Sequence, residues 1–260
     1  MLESPARTGA EFAGKIVVVT GGGGGIGHAI ARAFAQRGAH VVVAGRNREV
    51  AEKAAETIAR ETKVSALALA ADVSVPQQCE TLIAEAVAHF GAVDVLVNNA
   101  AYFALVPLLD MEPETARRFV DTNLLGPLNC GRALARWAFG ARRAATIVNV
   151  SSISGARPAP GCGLYSASKA ALDSLTRAMA LEWTGKGVRV NGVAPGHVNT
   201  EGVLADFAAG RLDREALIGR IPAGRIADVA EVADVVLFLS GEASRHIVGQ
   251  TVTVDGGEAM

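Results

Sequence analysis

Short runs rich in β-branched residues alternate with longer amphipathic stretches along most of this chain. The runs cover residues 15–20, 40–44, 64–70, 93–98, 146–150, 189–194 and 251–254. Most are nearly continuous in Val, Ile, Leu and Ala, as expected of strands covered on both faces. Between them the pattern predicts helices over 26–37, 48–61, 76–90, 112–139, 165–184 and 229–239. Pro76 fits a helix's first turn, where a missing N–H costs little. A strand–helix repeat of about 30 residues admits few architectures, because parallel strands need right-handed crossovers. The reading is an α/β fold with one doubly wound parallel sheet of about seven strands and helices on both faces. No linker rich in Pro, Gly or Ser divides residues 14–260, which read as a single domain. Residues 1–13 read as a flexible tail.

Composition narrows the function classes. Half of the 260 residues are hydrophobic and 20% are charged, which permits a large core and excludes disorder as the dominant state. A formal net charge of −1 gives no general attraction to nucleic acid or to an anionic membrane. No apolar stretch approaches the ~20 residues of a membrane span. Cys79, Cys130 and Cys162 cannot form a disulfide framework, and without a CxxC pair they do not suggest structural zinc. The polar N-terminus lacks the apolar region of a secretory signal. The expectation is a cytoplasmic protein with no nucleic-acid or membrane partner and no metal.

The first predicted strand runs into Thr20-Gly21-Gly22-Gly23-Gly24-Gly25-Ile26-Gly27 and then into a helix. Glycines there let the backbone approach a pyrophosphate, and the amides of the helix N-terminus face its charge. No Gly-Lys-Ser/Thr follows, so a Walker phosphate loop is disfavoured. A flexible low-complexity turn is the bland alternative. Tyr165 and Lys169 lie four residues apart, on one face of a predicted helix. A free phenol titrates near 10, too high for an efficient base at neutral pH, and an adjacent ammonium is expected to lower that value. The pair suits a carbonyl–alcohol couple, although alone it could be an exposed helix pair.

Together these residues resemble the classical short-chain dehydrogenase/reductases, a Rossmann-like family, over roughly residues 12–257. The loop fits TGxxxGxG through Gly21, Gly25 and Gly27. Asn98-Asn99-Ala100-Ala101 is similar to NNAG, with Ala101 in place of the glycine. Ser152 lies thirteen residues before Tyr165, Tyr165–Lys169 fits YxxxK, Pro195-Gly196 fits the PG after the sixth strand, and Asp255-Gly256-Gly257 fits VDGG. The resemblance implies that Tyr165 is the acid/base, that Lys169 also holds the nicotinamide ribose, and that Ser152 orients the substrate oxygen. It implies that Asn123 supports a water relay. The dinucleotide would meet Gly21, Gly25, Ile26, Gly27, Asp72, Val73, Asn99, Ala100, Tyr165, Lys169, Pro195, Gly196, Val198 and Thr200. Unaided, Ser152 reads as a turn residue, Asn123 as a satisfied polar group and Asp72 as a helix cap.

Cofactor choice is read at the end of the second strand. An acidic residue there accepts from the ribose 2′-OH of NAD, and a basic one accommodates the 2′-phosphate of NADP. Gly45 occupies that position and Arg46 follows, which predicts NADP(H) over NAD(H). Gly24 stands where many NADP users of the family carry a second basic residue.

Residues 196–225 interrupt the alternation just past a predicted strand end and read as a substrate lid. Val203, Leu204, Phe207, Leu212, Leu217 and Ile218 make it apolar, compatible with a partly apolar substrate or with simple packing. His197 and Cys162 are pocket candidates that also read as loop and packing residues; His28 reads as surface or packing. The expected activity is NADP(H)-dependent interconversion of a ketone and a secondary alcohol. Closely related readings are a 3-oxoacyl carrier-protein reductase and a dienoyl-CoA reductase, the latter because Asn199–Gly202 and Glu182-Trp183 are similar to that group. A non-catalytic NADP(H) sensor would need only the glycine loop. The resemblance also implies a homo-oligomer, a tetramer or dimer, with Ala133, Ala135 and Ala138 as a possible close-packing face.

Overall fold

The structure, a computed structural model, describes residues 11–260. Seven parallel strands form one sheet in the order β3-β2-β1-β4-β5-β6-β7. They are β1 (Ile16–Thr20), β2 (His40–Gly45), β3 (Ala66–Ala70), β4 (Val95–Asn98), β5 (Ala145–Val150), β6 (Val188–Pro195) and β7 (Thr251–Val254). The doubly wound expectation holds, with each strand inside or within two residues of its predicted bounds.

Alternate residues of each strand feed two cores. Val17, Val19, Val41, Val43, Val95 and Val97 face α1 (Gly25–Gln36), α2 (Arg48–Thr62) and α9 (Val229–Ser240). Val18, Val42, Leu96 and Ile147 face α3 (Pro76–Phe90), α5 (Gly126–Ala141) and α6 (Gly163–Trp183). Phe34 and Leu134 anchor the two layers and are fully buried, each worth roughly 1.5–3 kcal/mol of transfer free energy. Ala133 and Ala138 of α5 belong to the second core, and Ala135 is equally buried. They pack inside the chain and offer no free face to another copy.

Two local differences from the sequence reading have clear causes. The helix expected over 112–139 is α4 (Pro113–Val120) and α5, joined by one π turn over Asp121–Leu125. Pro127 has no N–H to close an α-type bond onto the Asn123 carbonyl, so the helix widens there. The expected tail falls mostly on residues 1–10, outside the described residues. Its end is packed: Phe12 is buried, its ring edge-on to Phe34 at 4.9 Å. The 196–225 segment carries two short helices, α7 (Glu201–Ala208) and α8 (Arg214–Ile218). Among the described residues no helix is long and apolar enough to cross a membrane.

Candidate active site

The chain leaves neighbouring strands β1 and β4 toward opposite ends of the sheet, which opens a crevice at their C-terminal ends. The glycine loop enters that crevice from β1. Gly21 and Gly25 have φ of +64° and +51°, a region that favours glycine. A Cβ on Gly27 would run into the Gly21 carbonyl and the Asn99 amide. Gly24 caps α1 without a side-chain hydrogen bond. The first amides of α1 therefore remain available to an anion.

Asn99 holds this cradle rather than lining it. Its Nδ2 donates to the carbonyls of Thr20 and Gly21 at 3.0 and 3.1 Å, and its own N–H donates to Thr20 Oγ1 at 3.0 Å. The Ala100 N–H reaches the same hydroxyl. A cavity of about 140 Å³ continues the crevice, lined by Gly21, Gly45, Arg46, Asp72, Val73 and Ala100 among others. Arg46 is exposed and makes no ion pair among the described residues. Asp72 Oδ1 accepts from the Ser74 N–H and Oγ at 2.9 and 2.7 Å, a local turn that fixes the loop after β3. These surroundings suit a dinucleotide, through a cradle that side chains would fill and a helix end left uncapped.

A larger cavity of about 740 Å³ opens beside β5 and β6. Ser152, Tyr165, Ile26, Gly196, Val198 and Thr200 line it. Ser152 sits just past β5, its Oγ accepting the Ser154 N–H at 3.1 Å. Pro195 ends β6, and Val198 bridges to Ala227. Thr200 caps α7 through its hydroxyl. Its methyl would lie 3.6 Å from a Cβ on Gly25, so the β6 loop arches over the glycine loop.

Tyr165 and Lys169 occupy different environments. Burial pushes the Tyr165 phenol above its usual value, the neighbouring Ser152 hydroxyl offsets part of the rise, and Cys162 adds to it. Lys169 is 2% exposed, and desolvation lowers its pKa to about 8 against an opposing pull from Asp173. Its ammonium donates to the Val150 carbonyl at 2.8 Å and lies 5.7 Å from the phenol ring centre. The expected lowering of the Tyr165 pKa by Lys169 is therefore corrected. Burial governs the phenol, and the amine is spent on the backbone of β5.

Asn123 lies fully buried in the π turn. Its Oδ1 accepts the Tyr102 N–H at 2.7 Å, and its Nδ2 donates to the Tyr102 carbonyl and Ser168 Oγ at 2.9 and 3.1 Å. Both amide hydrogens are committed. The Asn123 backbone carbonyl lacks the α-type donor that Pro127 cannot supply. Tyr102 leads into Phe103, whose ring stands edge-on to Tyr165 at 5.0 Å.

Comparison with known proteins agrees with this layout. A family model described as enoyl-(acyl carrier protein) reductase matches residues 21–258. The chain is 37% identical over 245 residues to a 3-oxoacyl-(acyl-carrier-protein) reductase of Chlamydia muridarum, covering 94% of this chain and 97% of that one. The chain belongs to the short-chain dehydrogenase/reductase family. It is 39% identical over 253 residues to cis-4-hydroxycyclohexanecarboxylate dehydrogenase of Sinomonas cyclohexanicum, with 96% and 98% of the two chains covered. A solved structure of NAD+-bound xylitol dehydrogenase superposes with a TM-score of 0.88 at 30% identity, over 95% of this chain and 100% of that one. Members of this short-chain dehydrogenase/reductase family are oxidoreductases of alcohol and ketone groups that bind a nicotinamide cofactor.

Within this family member, sequence reasoning missed several residues of the large cavity. Phe103, Leu105, Arg157, Arg220 and Glu258 line it. The apolar run after Asn99 gave a signal for the first two. Glu258 lies beyond the last strand, where no local pattern marks it. His197 and Cys162 do line the cavity, whereas of the six apolar residues singled out in 196–225 only Val203 does. Leu217 instead packs with Ile221 and Ile226.

Proposed function

We propose that the protein is an NADP(H)-dependent oxidoreductase that interconverts a ketone and a secondary alcohol, with Tyr165 as the acid/base. The observation that carries this reading is one cavity lined by both the Tyr165 phenol and the Ser152 hydroxyl, beside a glycine cradle suited to a dinucleotide. The bound nicotinamide supplies or accepts the hydride. In reduction Tyr165 gives its proton to the substrate oxygen, and Ser152 donates a hydrogen bond to the charge developing there. The upward shift of the phenol keeps it protonated through neutral pH. Reduction then has its acid ready, whereas oxidation needs the phenolate and gains from higher pH. Lys169 is within one helical turn of Tyr165 and is the natural holder of the ribose hydroxyls when it releases Val150. Asn123 positions the loop under Tyr165 and offers its carbonyl to a proton-carrying water. Residues 196–225 serve as the lid, and exclude water when closed over substrate.

The choice of NADP(H) rests on Gly45 and on the unpaired Arg46 beside the smaller cavity. A 2′-phosphate there would meet a guanidinium and no carboxylate at the end of β2, while Asp72, past β3, is turned to Ser74. We also read the enzyme as a homo-oligomer. Exposed Leu181 of α6 and Phe238 of α9, at 87% and 42% on opposite faces of the sheet, support separate apolar contacts with other copies; light scattering from a monomer would contradict it.

The test is cofactor consumption, followed by absorbance, across ketones, 3-oxoacyl thioesters and enoyl thioesters with NADPH and NADH in parallel. Turnover of the ketone group with a preference for NADPH is expected. Arg46→Ala should lower kcat/KM for NADPH by about tenfold, the weight of one charge-assisted contact, and leave NADH nearly unchanged. Reduction confined to the enoyl bond, or an NADH preference in the unaltered enzyme, contradicts the respective part.

A further inference from the structure

The large cavity holds positive charge that proton transfer at Tyr165 does not use. Arg157, beyond the turn that follows β5, and Arg220, beyond α8, both line it. Much of the remaining wall is apolar, including Phe103, Leu105 and Val203. The one carboxylate on that wall belongs to Glu258, and it is already engaged. One oxygen lies 2.7 Å from His197 Nδ1 and the other accepts the His197 N–H at 3.2 Å. Glu258 is 7% exposed. Because a carboxylate only accepts, this contact is a hydrogen bond in the tautomer that carries the proton on Nδ1.

Arg157 reaches the main-chain carbonyl of Glu258 rather than its carboxylate. Among the described residues neither guanidinium has a carboxylate within ion-pair distance. The Arg220 side chain makes no hydrogen bond either, and Arg157 spends one of its five donors. Arg157 and Arg220 are both exposed residues bordering one largely apolar cavity, and each guanidinium offers a planar donor set suited to a carboxylate.

We propose that the substrate carries a carboxylate, bound by Arg157 and Arg220 while its carbonyl meets Tyr165 and Ser152. The substrate class is therefore a keto acid and its product a hydroxy acid. This deepens the ketone–alcohol reading and rests on it. At about 740 Å³ the cavity lies within the usual range for small-molecule sites, large enough for a ring or short chain with the carboxylate at one end.

The experiment compares 4-oxocyclohexanecarboxylate with its methyl ester, using the full chain and NADPH. Acetoacetyl-CoA serves as a third substrate, whose negative charge comes from phosphates. The unaltered enzyme should favour the acid over the ester by about tenfold or more in kcat/KM, mainly through KM. Arg220→Gln should cut that ratio by about tenfold, and Arg220→Lys should restore part of it. Arg157→Gln should act likewise, but it also frees the Glu258 carbonyl, so Arg220, which has no internal bond to lose, gives the cleaner variant. An ester used as well as the acid overturns the proposal. So does an equal loss on acid and ester, or an effect confined to the CoA thioester. If no ketone is reduced at all, calorimetry of the same carboxylate with the NADP+-loaded protein separates the two readings. Saturable binding weakened in Arg220→Gln supports the anion site even as the reductase reading fails, and absence of binding overturns the anion site.

Discussion

Lys169 keeps an amine where burial favours its neutral form, and this has a measurable sign. Unfolded, the amine titrates near 10.5; folded, it titrates at about 8. Between those values the unfolded chain binds more protons, so this group's contribution to stability grows as pH rises through the window. The gap corresponds to about 3 kcal/mol for so buried a group. The stability of the unaltered protein minus that of Lys169→Met should therefore climb between pH 8 and 10, as read by denaturant unfolding. A flat or falling difference contradicts it. In the sequence the spacing of Tyr165 and Lys169 marks them as a pair, whereas Ser152 stands out only through the family resemblance. Their electrostatics were not legible there, because the shift of Tyr165 is set first by burial, which Ser152 offsets in part and Cys162 reinforces.

Asn123 shows what is gained by following whole elements. Its neighbours in sequence describe a helix, and the π turn exists because a proline four residues on removes one donor. The side chain then bridges from that turn to the backbone of Tyr102, next to the Phe103 ring that abuts Tyr165. Asn123→Ala leaves two backbone groups of Tyr102 without these partners and should cost about 1–3 kcal/mol of stability. It should also lower kcat more than it raises cofactor Kd, because Asn123 holds Tyr102, beside the Phe103 ring that meets the phenol, whereas the cradle is held by Asn99 and Ala100 through their own bonds to Thr20 and Gly21. Loss of cofactor affinity with unchanged kcat contradicts this assignment. The helices and strands themselves were readable from periodicity. The join between α4 and α5 was not, since a π turn changes hydrogen bonding without changing the apolar pattern. Phe12 escaped the reading for a different reason: one buried ring in a polar stretch gives no period.

At the scale of the molecule, strand–helix alternation was enough to predict the parallel sheet and the end at which its loops would gather. The cavity wall was less legible. Arg157, Arg220 and Glu258 come from three distant segments, and only the fold brings them to one cavity. The 196–225 segment meets the glycine loop through Thr200, so occupancy of the site should be felt there. NADPH at about a hundred times its Kd should stabilise the fold by ~2.7 kcal/mol. It should also slow proteolytic cleavage within 201–219 beyond that global effect; cleavage unaffected by cofactor contradicts a lid. The central claim joins the two cavities into one reaction centred on a phenol. Its most direct test is ketone-dependent NADPH oxidation by the unaltered enzyme and by Tyr165→Phe, with cofactor affinity measured by fluorescence on the same samples. The account predicts a loss of about 10²–10⁴ in kcat with Kd for NADPH unchanged. A Phe variant that retains most of its turnover would contradict it.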